Sequence, residues 1–317
     1  MENSFSPCPE APVLAIGGAG IDIIGRVKGE LQMGTSNPAQ IRSSFGGVAR
    51  NVAENLARLG QPVRLISAFG EDEEGELLVA QAAEAGIAVE AVLRTSEHAT
   101  GMYLGLINQS GLLQVALDDI RATSALSPEY LKAHAGLFQE ASALFLDASL
   151  PRDTMRTAFS LAARARVPVV ADPTSTSLAE RLRPYLRRIQ LITPNSAEAG
   201  ILCERSFEPS DRHQVREAAK CLVSQGVEIA LVTLAEFGLG YATSESSGHI
   251  PAMRTRIVDP TGAGDALTAT VMFALLNDIS LDEAVRLGVT AASLTLHYRG
   301  SVLPDLSLEN LYDRLMI

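Results

Sequence analysis

The sequence predicts an α/β protein with a mostly parallel sheet covered by helices on both faces. Two observations carry that expectation. Short apolar, β-branched runs alternate with longer segments of helical period, and polar residues recur at or just past the ends of the short runs.

The strand candidates are Val63–Ala68, Ala88–Leu93, Ala143–Leu146, Val167–Ala171, Gln190–Ile192 and Ile229–Thr233. Between them, Val48–Leu59, Gly75–Ala85, Asp153–Ala165 and Gln214–Ser224 read as helices. The alternation implies βαβ units, and in such sheets ligands gather beyond the carboxyl ends of the strands. Asp147, Asp172, Asn195 and Thr233 fall at those ends and would form a polar crescent.

Two stretches break the pattern. Ile21–Phe45 carries Gly25, Gly29, Gly34 and Pro38 among isolated apolar residues, and no helical stripe runs through it. Met102–Ile107 and Leu112–Leu117 flank the turn-forming Asn108-Gln109-Ser110-Gly111 and read as a hairpin. A few strands without helices must lie over something else. They are expected to form a small β lid, residues 22–45 and 99–119, over an α/β domain of residues 12–21, 46–98 and 120–317. The alternative is that they extend the main sheet.

Composition sets the class. With 317 residues, 26 Lys+Arg against 37 Asp+Glu, and a net charge of −11, an extended nucleic-acid surface is not expected. Cys8, Cys203 and Cys221 lack zinc or redox spacing and fit a reducing compartment, and the five histidines are scattered. The first twelve residues have no basic start followed by an apolar run and read as a frayed tail. No apolar run approaches the ~20 residues that span a bilayer. A cytoplasmic protein without a membrane partner is expected.

The most informative segment is Asp259-Pro260-Thr261-Gly262-Ala263-Gly264-Asp265, followed by a helix from Ala266 to Leu276 that is apolar nearly all round. Such a helix runs through the interior, so its first turn is buried while its N–H groups lack intrahelical partners. Gly262, Ala263 and Gly264 leave room for an anion to approach those amides. Asp265, just inside the helix start, is expected to stay ionised at neutral pH, favoured by the dipole and nearby donors. It could accept a hydroxyl proton late in phosphoryl transfer, or simply cap the helix.

Near the other end, Gly46-Gly47-Val48-Ala49-Arg50-Asn51 opens a helix closed by Gly60. Val48, Val52, Leu56 and Leu59 form its buried stripe, with Asn51 and Asn55 on a second stripe beside it. Asp22 follows the first strand in Gly17-Gly18-Ala19-Gly20-Ile21-Asp22, and a carboxylate there suits vicinal hydroxyls. The glycines are not a dinucleotide fingerprint, because the third glycine and an immediate helix are missing.

The Asp259–Asp265 segment resembles the carboxyl-terminal signature of the PfkB/ribokinase family of carbohydrate and nucleoside kinases, and Gly46–Asn51 resembles its amino-terminal one. The resemblance spans residues 12 to 307. It implies a ribokinase-like three-layer α/β/α domain with a small β lid, and transfer of the γ-phosphoryl group of ATP to a sugar or nucleoside hydroxyl. Carried over, Asp265 is the base, and Gly262, Ala263 and Gly264 stabilise the transferring group. Asp22, Gly46, Gly47, Asn51 and Tyr103 meet the substrate. Thr193-Pro194-Asn195-Ser196-Ala197-Glu198 resembles the N-x-x-E motif, placing Asn195 and Glu198 near Mg²⁺, mostly through water. Read alone, that motif is also an ordinary helix opening.

Thr233 and Gly238 fall in the nucleotide-binding strand-turn, where Ala235 replaces a usual glycine. Asp259 and Thr261 sit where some members hold an activating monovalent cation such as K⁺.

Within the family, Ser36-Asn37-Pro38, Thr100–Asn108, Asp118-Asp119, Asp172-Pro173 and Pro304–Ser307 look like segments of the pseudouridine kinases. Those enzymes phosphorylate the ribose 5′-hydroxyl. Gly20 departs from them, standing where an asparagine is usual. A ribose or fructose-type kinase, a non-catalytic nucleoside- or sugar-binding protein and, more distantly, a nicotinamide-dependent oxidoreductase are the alternatives. A second copy of the chain could pair through an exposed lid edge.

Overall fold

The computed structural model describes residues 5, 10–207, 211–234, 237–253 and 257–315. Cys8, Ala235 and Glu236 lie outside them. A nine-stranded sheet runs in the order Ser247–Ile250, Leu239–Ala242, Ile229–Thr233, Leu191–Ile192, Val169–Asp172, Ala143–Asp147, Val13–Ile16, Val63–Ile66, Ile87–Ala88. Seven of these strands are parallel; the Leu239–Ala242 and Ser247–Ile250 hairpin adds an antiparallel edge.

The period of two along each strand divides its side chains between two cores. Leu14 and Ile16 pack on one face with Met155, Phe159, Val215 and Leu222 of the Arg152–Ala165 and Arg212–Ser224 helices. Val13 and Ala15 pack on the other with Val52, Leu56, Val271 and Leu287 of the Val48–Arg58, Ala263–Leu276 and Leu281–Leu296 helices. This is a three-layer α/β/α fold. The Ala263–Leu276 helix is buried at every residue from Asp265 onward, as its all-apolar composition requires.

Four strands form a separate sheet in the order Ala39–Gly46, Gly20–Val27, Gly101–Ile107, Leu113–Asp119. It takes in both stretches that broke the α/β pattern, and it does not extend the main sheet. Its inner face covers the ends of the main strands. Its outer face leaves Ile41, Val115 and Leu117 exposed.

The expected strand Ala88–Leu93 is instead two short ones. Val92 N donates to Val89 O in a turn, so Ile87–Ala88 joins the main sheet while Leu93–Thr95 pairs with Ala68–Gly70. Among the described residues, no helix is long and apolar enough to cross a membrane.

Candidate active site

The two ends of the chain meet in one cavity of about 540 Å³, beyond the carboxyl ends of Val13–Ile16 and Ala143–Asp147 and under the four-stranded sheet. Asp22, Gly47, Asn51, Tyr103, Gly262 and Asp265 line it. Gly46 lies just behind: a Cβ there would come within 2.1 Å of a carboxylate oxygen of Asp22. Gly20 stands opposite Gly101 on the neighbouring strand, and a Cβ at Gly20 would meet Gly101 O at 2.3 Å. A side chain at this place therefore has no room on this backbone.

A chain of buried side chains sets one end of the cavity. Arg50 Nη1 donates to Asn51 Oδ1 (3.0 Å), which turns the Asn51 amide so that Nδ2 donates to Asp265 Oδ2 (2.8 Å). Arg50 is itself held by an ion pair with Glu54 and by Gln81 Oε1 at 2.5 Å. The stripe carrying Asn51 and Asn55 is interior, as are Arg50 and Glu54. The Arg50/Glu54 spacing of four is the one local signal that could have revealed the pair.

Asp147, fully buried, accepts from Gly18 N (2.8 Å), Ala49 N (3.1 Å) and Ser149 N (2.9 Å), binding three chain segments together. Asp118, opposite Tyr103 on the adjacent strand of the four-stranded sheet, also lines the cavity, as do Thr174, Ser175 and Ser177, none of which the sequence reading assigned a role.

Electrostatics differ from expectation at Asp265. Burial pushes its carboxyl up to about 7, against the hydrogen bond from Asn51 and the charge of Arg50, which pull it down. The dipole and donor groups do not keep it fully ionised, because removal from water outweighs them. Asp22 is likewise raised to about 7, by burial and then by the negative charge of Asp265, with Arg50 opposing. Asp118 is raised by burial and by Asp119.

The glycine turn opens toward the same space. Gly262 is the helix N-cap at φ +81°, and intrahelical bonding begins only at Ala266 N, which donates to Gly262 O. Ala263 and Gly264 do not line the cavity, but Gly264 is exposed with open space where a Cβ would stand. An anion can therefore approach the amides there.

Asn195, Glu198, Thr233 and Gly238 lie outside the cavity walls, farther along the main sheet. Asn195 and Glu198 form a capping box, each side chain accepting from the other's backbone N–H at 2.9 Å. Thr233 bridges to Asn195, and Gly238, at φ +100°, accepts from Leu234 N. Thr268 Oγ1 donates to Thr193 Oγ1 (2.8 Å), tying the helix of Asp265 to the strand end that leads to Asn195. The turn at Ala235 falls outside the described residues.

No cluster of three or more potential ligands for direct metal binding occurs among the described residues. Asp172 and Glu198 are both raised by burial, and Glu198 raises Asp172 further. A half-buried Asp172 beside the buried Glu198 fits a hydrated Mg²⁺ held through water. A monovalent ion does not fit at Asp259: its carboxylate is paired with the Arg42 guanidinium and accepts from Thr261 N (3.1 Å).

Residues 11–307 match the pfkB family carbohydrate kinase family. The chain is 32% identical over 299 residues to pseudouridine kinase of Escherichia coli (strain K12), covering 94% of each. It is 28% identical to guanosine-inosine kinase of Exiguobacterium acetylicum, covering 89% of this chain and 93% of that one. A carbohydrate kinase from Agrobacterium tumefaciens superposes with a TM-score of 0.80 at 29% identity, over 96% of this chain and 97% of that one. Ribokinase of Arabidopsis thaliana, complexed with ribose and ATP, shares the fold with a TM-score of 0.82 at 22% identity, over 97% and 99% of the two chains. The chain belongs to the pfkB family of carbohydrate kinases and is a phosphotransferase.

Proposed function

We propose that the protein transfers the γ-phosphoryl group of ATP to the 5′-hydroxyl of pseudouridine. The observation that carries this reading is the hydrogen-bonded meeting of Asn51 and Asp265 in the cavity that also holds Asp22. The likeness to the E. coli pseudouridine kinase supports the choice of acceptor.

In this mechanism Asp22 accepts hydrogen bonds from two ribose hydroxyls, and the small Gly46–Gly47 turn lets the sugar lie against the backbone. Asn51 holds Asp265 in place. Asp265, raised by burial, is a better proton acceptor than an ordinary carboxylate when ionised, and it takes the proton of the attacking hydroxyl as the phosphoryl group departs from ATP. The amides of Ala263 and Gly264 and the helix dipole stabilise charge on the transferring group. Bound Mg²⁺ would offset phosphate charge, with Glu198 and Asn195 orienting its waters. Thr233 and Gly238 are assigned to the nucleotide. The four-stranded sheet acts as a lid that excludes water, and Tyr103 and Asp118 on its inner face meet the nucleoside.

A ribose or fructose-type acceptor is the second reading, favoured by Gly20, where the side chain usual in pseudouridine kinases has no space. The test is ADP release from Mg-ATP with pseudouridine, uridine, adenosine, ribose and fructose. Pseudouridine is expected to give the highest kcat/KM. Turnover of ribose or fructose without pseudouridine overturns the acceptor, and no turnover across the panel overturns the active-site reading.

A further inference from the structure

The Asp259 carboxylate is fully buried, yet the cation beside it comes from far away in the chain. Arg42, on the Ala39–Gly46 strand of the lid sheet, forms the ion pair with Asp259 Oδ2, 217 residues away. The other oxygen, Oδ1, accepts from Thr261 N and shapes the turn that leads into Gly262.

Two more lid contacts close on the same stretch. Arg26, on the neighbouring strand, donates through Nη2 to Val258 O (2.5 Å) and through Nη1 to Gln109 O (2.9 Å) in the lid hairpin. Ser301 Oγ donates to Phe45 O (2.5 Å), and Ser301 packs so tightly on Gly262 that a Cβ there would meet Ser301 O at 1.8 Å. The lid sheet thus grips the peptide before the glycine turn and the loop behind it.

A buried carboxylate without a counter-charge is strongly destabilising, so something positive must stand at this place for the turn to keep its shape. A guanidinium also suits a carboxylate geometrically, through its fixed fork of donors. We infer that Arg42 is a positioning residue: it supplies from within the chain the positive charge that holds the Asp259–Gly262 turn. Phosphoryl transfer by this protein then needs no monovalent cation. The same contact makes assembly of the anion-binding turn depend on the lid being docked, because lifting the Ala39–Gly46 strand strips Asp259 of its partner. The inference rests on the proposed role of the turn in transfer, and not on which acceptor is used.

The test compares wild type, Arg42→Lys and Arg42→Ala in tetramethylammonium salts and in K⁺ at matched ionic strength, with the best acceptor found. Wild type is expected to turn over equally in both. Arg42→Ala should lose at least about tenfold in kcat in tetramethylammonium, with a smaller change in acceptor KM. Methylguanidinium or K⁺ should restore part of that loss, and Arg42→Lys should retain most of the rate.

Strong activation of wild type by K⁺ overturns the inference. So does an Arg42→Ala protein with normal kcat in tetramethylammonium, or one whose loss neither cation repairs, which is the mark of a merely structural role. If Arg42→Ala fails to fold, wild type and Arg42→Lys decide. A parallel thermal melt needs no acceptor, so a wrong acceptor assignment leaves it standing. Equal wild-type unfolding temperatures in the two salts support the inference, and a rise specific to K⁺ counts against it.

Discussion

At the end of the cleft assigned to the acceptor, the Asn51–Asp265 hydrogen bond joins residues 214 apart and is backed by the buried Arg50–Glu54 pair; at the end assigned to the nucleotide, the side chains of Asn195 and Glu198 cap each other within one helical turn. The Asn195/Glu198 capping box satisfies itself locally. A network closed over long distances fixes its members before any ligand arrives. On the proposed roles, the contrast makes the acceptor side the preorganised half of the cleft.

The largest expected effect lies on the preorganised side. Asp265→Asn keeps the shape and removes the base, and kcat should fall about 10³-fold with ATP affinity little changed. Steady-state ADP release and calorimetric ATP binding measure the two quantities. Near-normal turnover would remove Asp265 from the chemistry.

A sharper trial sets one residue from each end side by side. Asp22→Asn should raise the acceptor KM about tenfold to a hundredfold and leave the ATP KM alone. Glu198→Gln should instead raise the Mg²⁺ concentration for half-maximal rate a few-fold, without touching the acceptor KM. If either substitution moves both parameters equally, the two ends are energetically one site and the contrast fails.

The smallest effect is on stability. Asp265 and Asp22 are raised by burial from 3.8 to about 7, so the folded chain keeps protons that the unfolded chain releases from about pH 4 upward. Their contribution to stability is fully present below that point and is lost as pH rises through about 7. Asp265→Asn should therefore melt a few degrees above wild type at pH 8, with the gap closing toward pH 4. In the same range kcat/KM of wild type should climb with pH as Asp265 ionises. A melting gap that widens on acidification would contradict the burial argument.

What the sequence discloses follows the range of the interactions. The parallel sheet and the interior helix after Asp265 are legible because burial on both sides leaves a local imprint, an unbroken run of apolar residues. The capping box is legible for the same reason, as Asn195 and Glu198 lie one helical turn apart. Asn51 was placed at the site through its motif and not through its polarity, and its burial is made tolerable by Asp265 from a distant segment, whereas Asn55 bonds only to Asn51 O of its own helix. Arg42 with Asp259 leaves no local trace at all. The charge state of Asp265 was misjudged because helix polarity can be read from one segment, whereas desolvation is the work of every segment that surrounds it.

The Asp147 clasp bears on how this enzyme could be redesigned. Its carboxylate gathers the loop after Val13–Ile16, the start of the Val48–Arg58 helix and its own strand end, and its acceptor capacity is largely used. Grafted loops or enlarged residues at Gly18 or Ala49 would unseat all three supports together. Libraries aimed at new acceptors should leave that floor untouched and vary the ceiling, where Met102, Ala116 and Asp118 border the cavity from strands that hold no such knot.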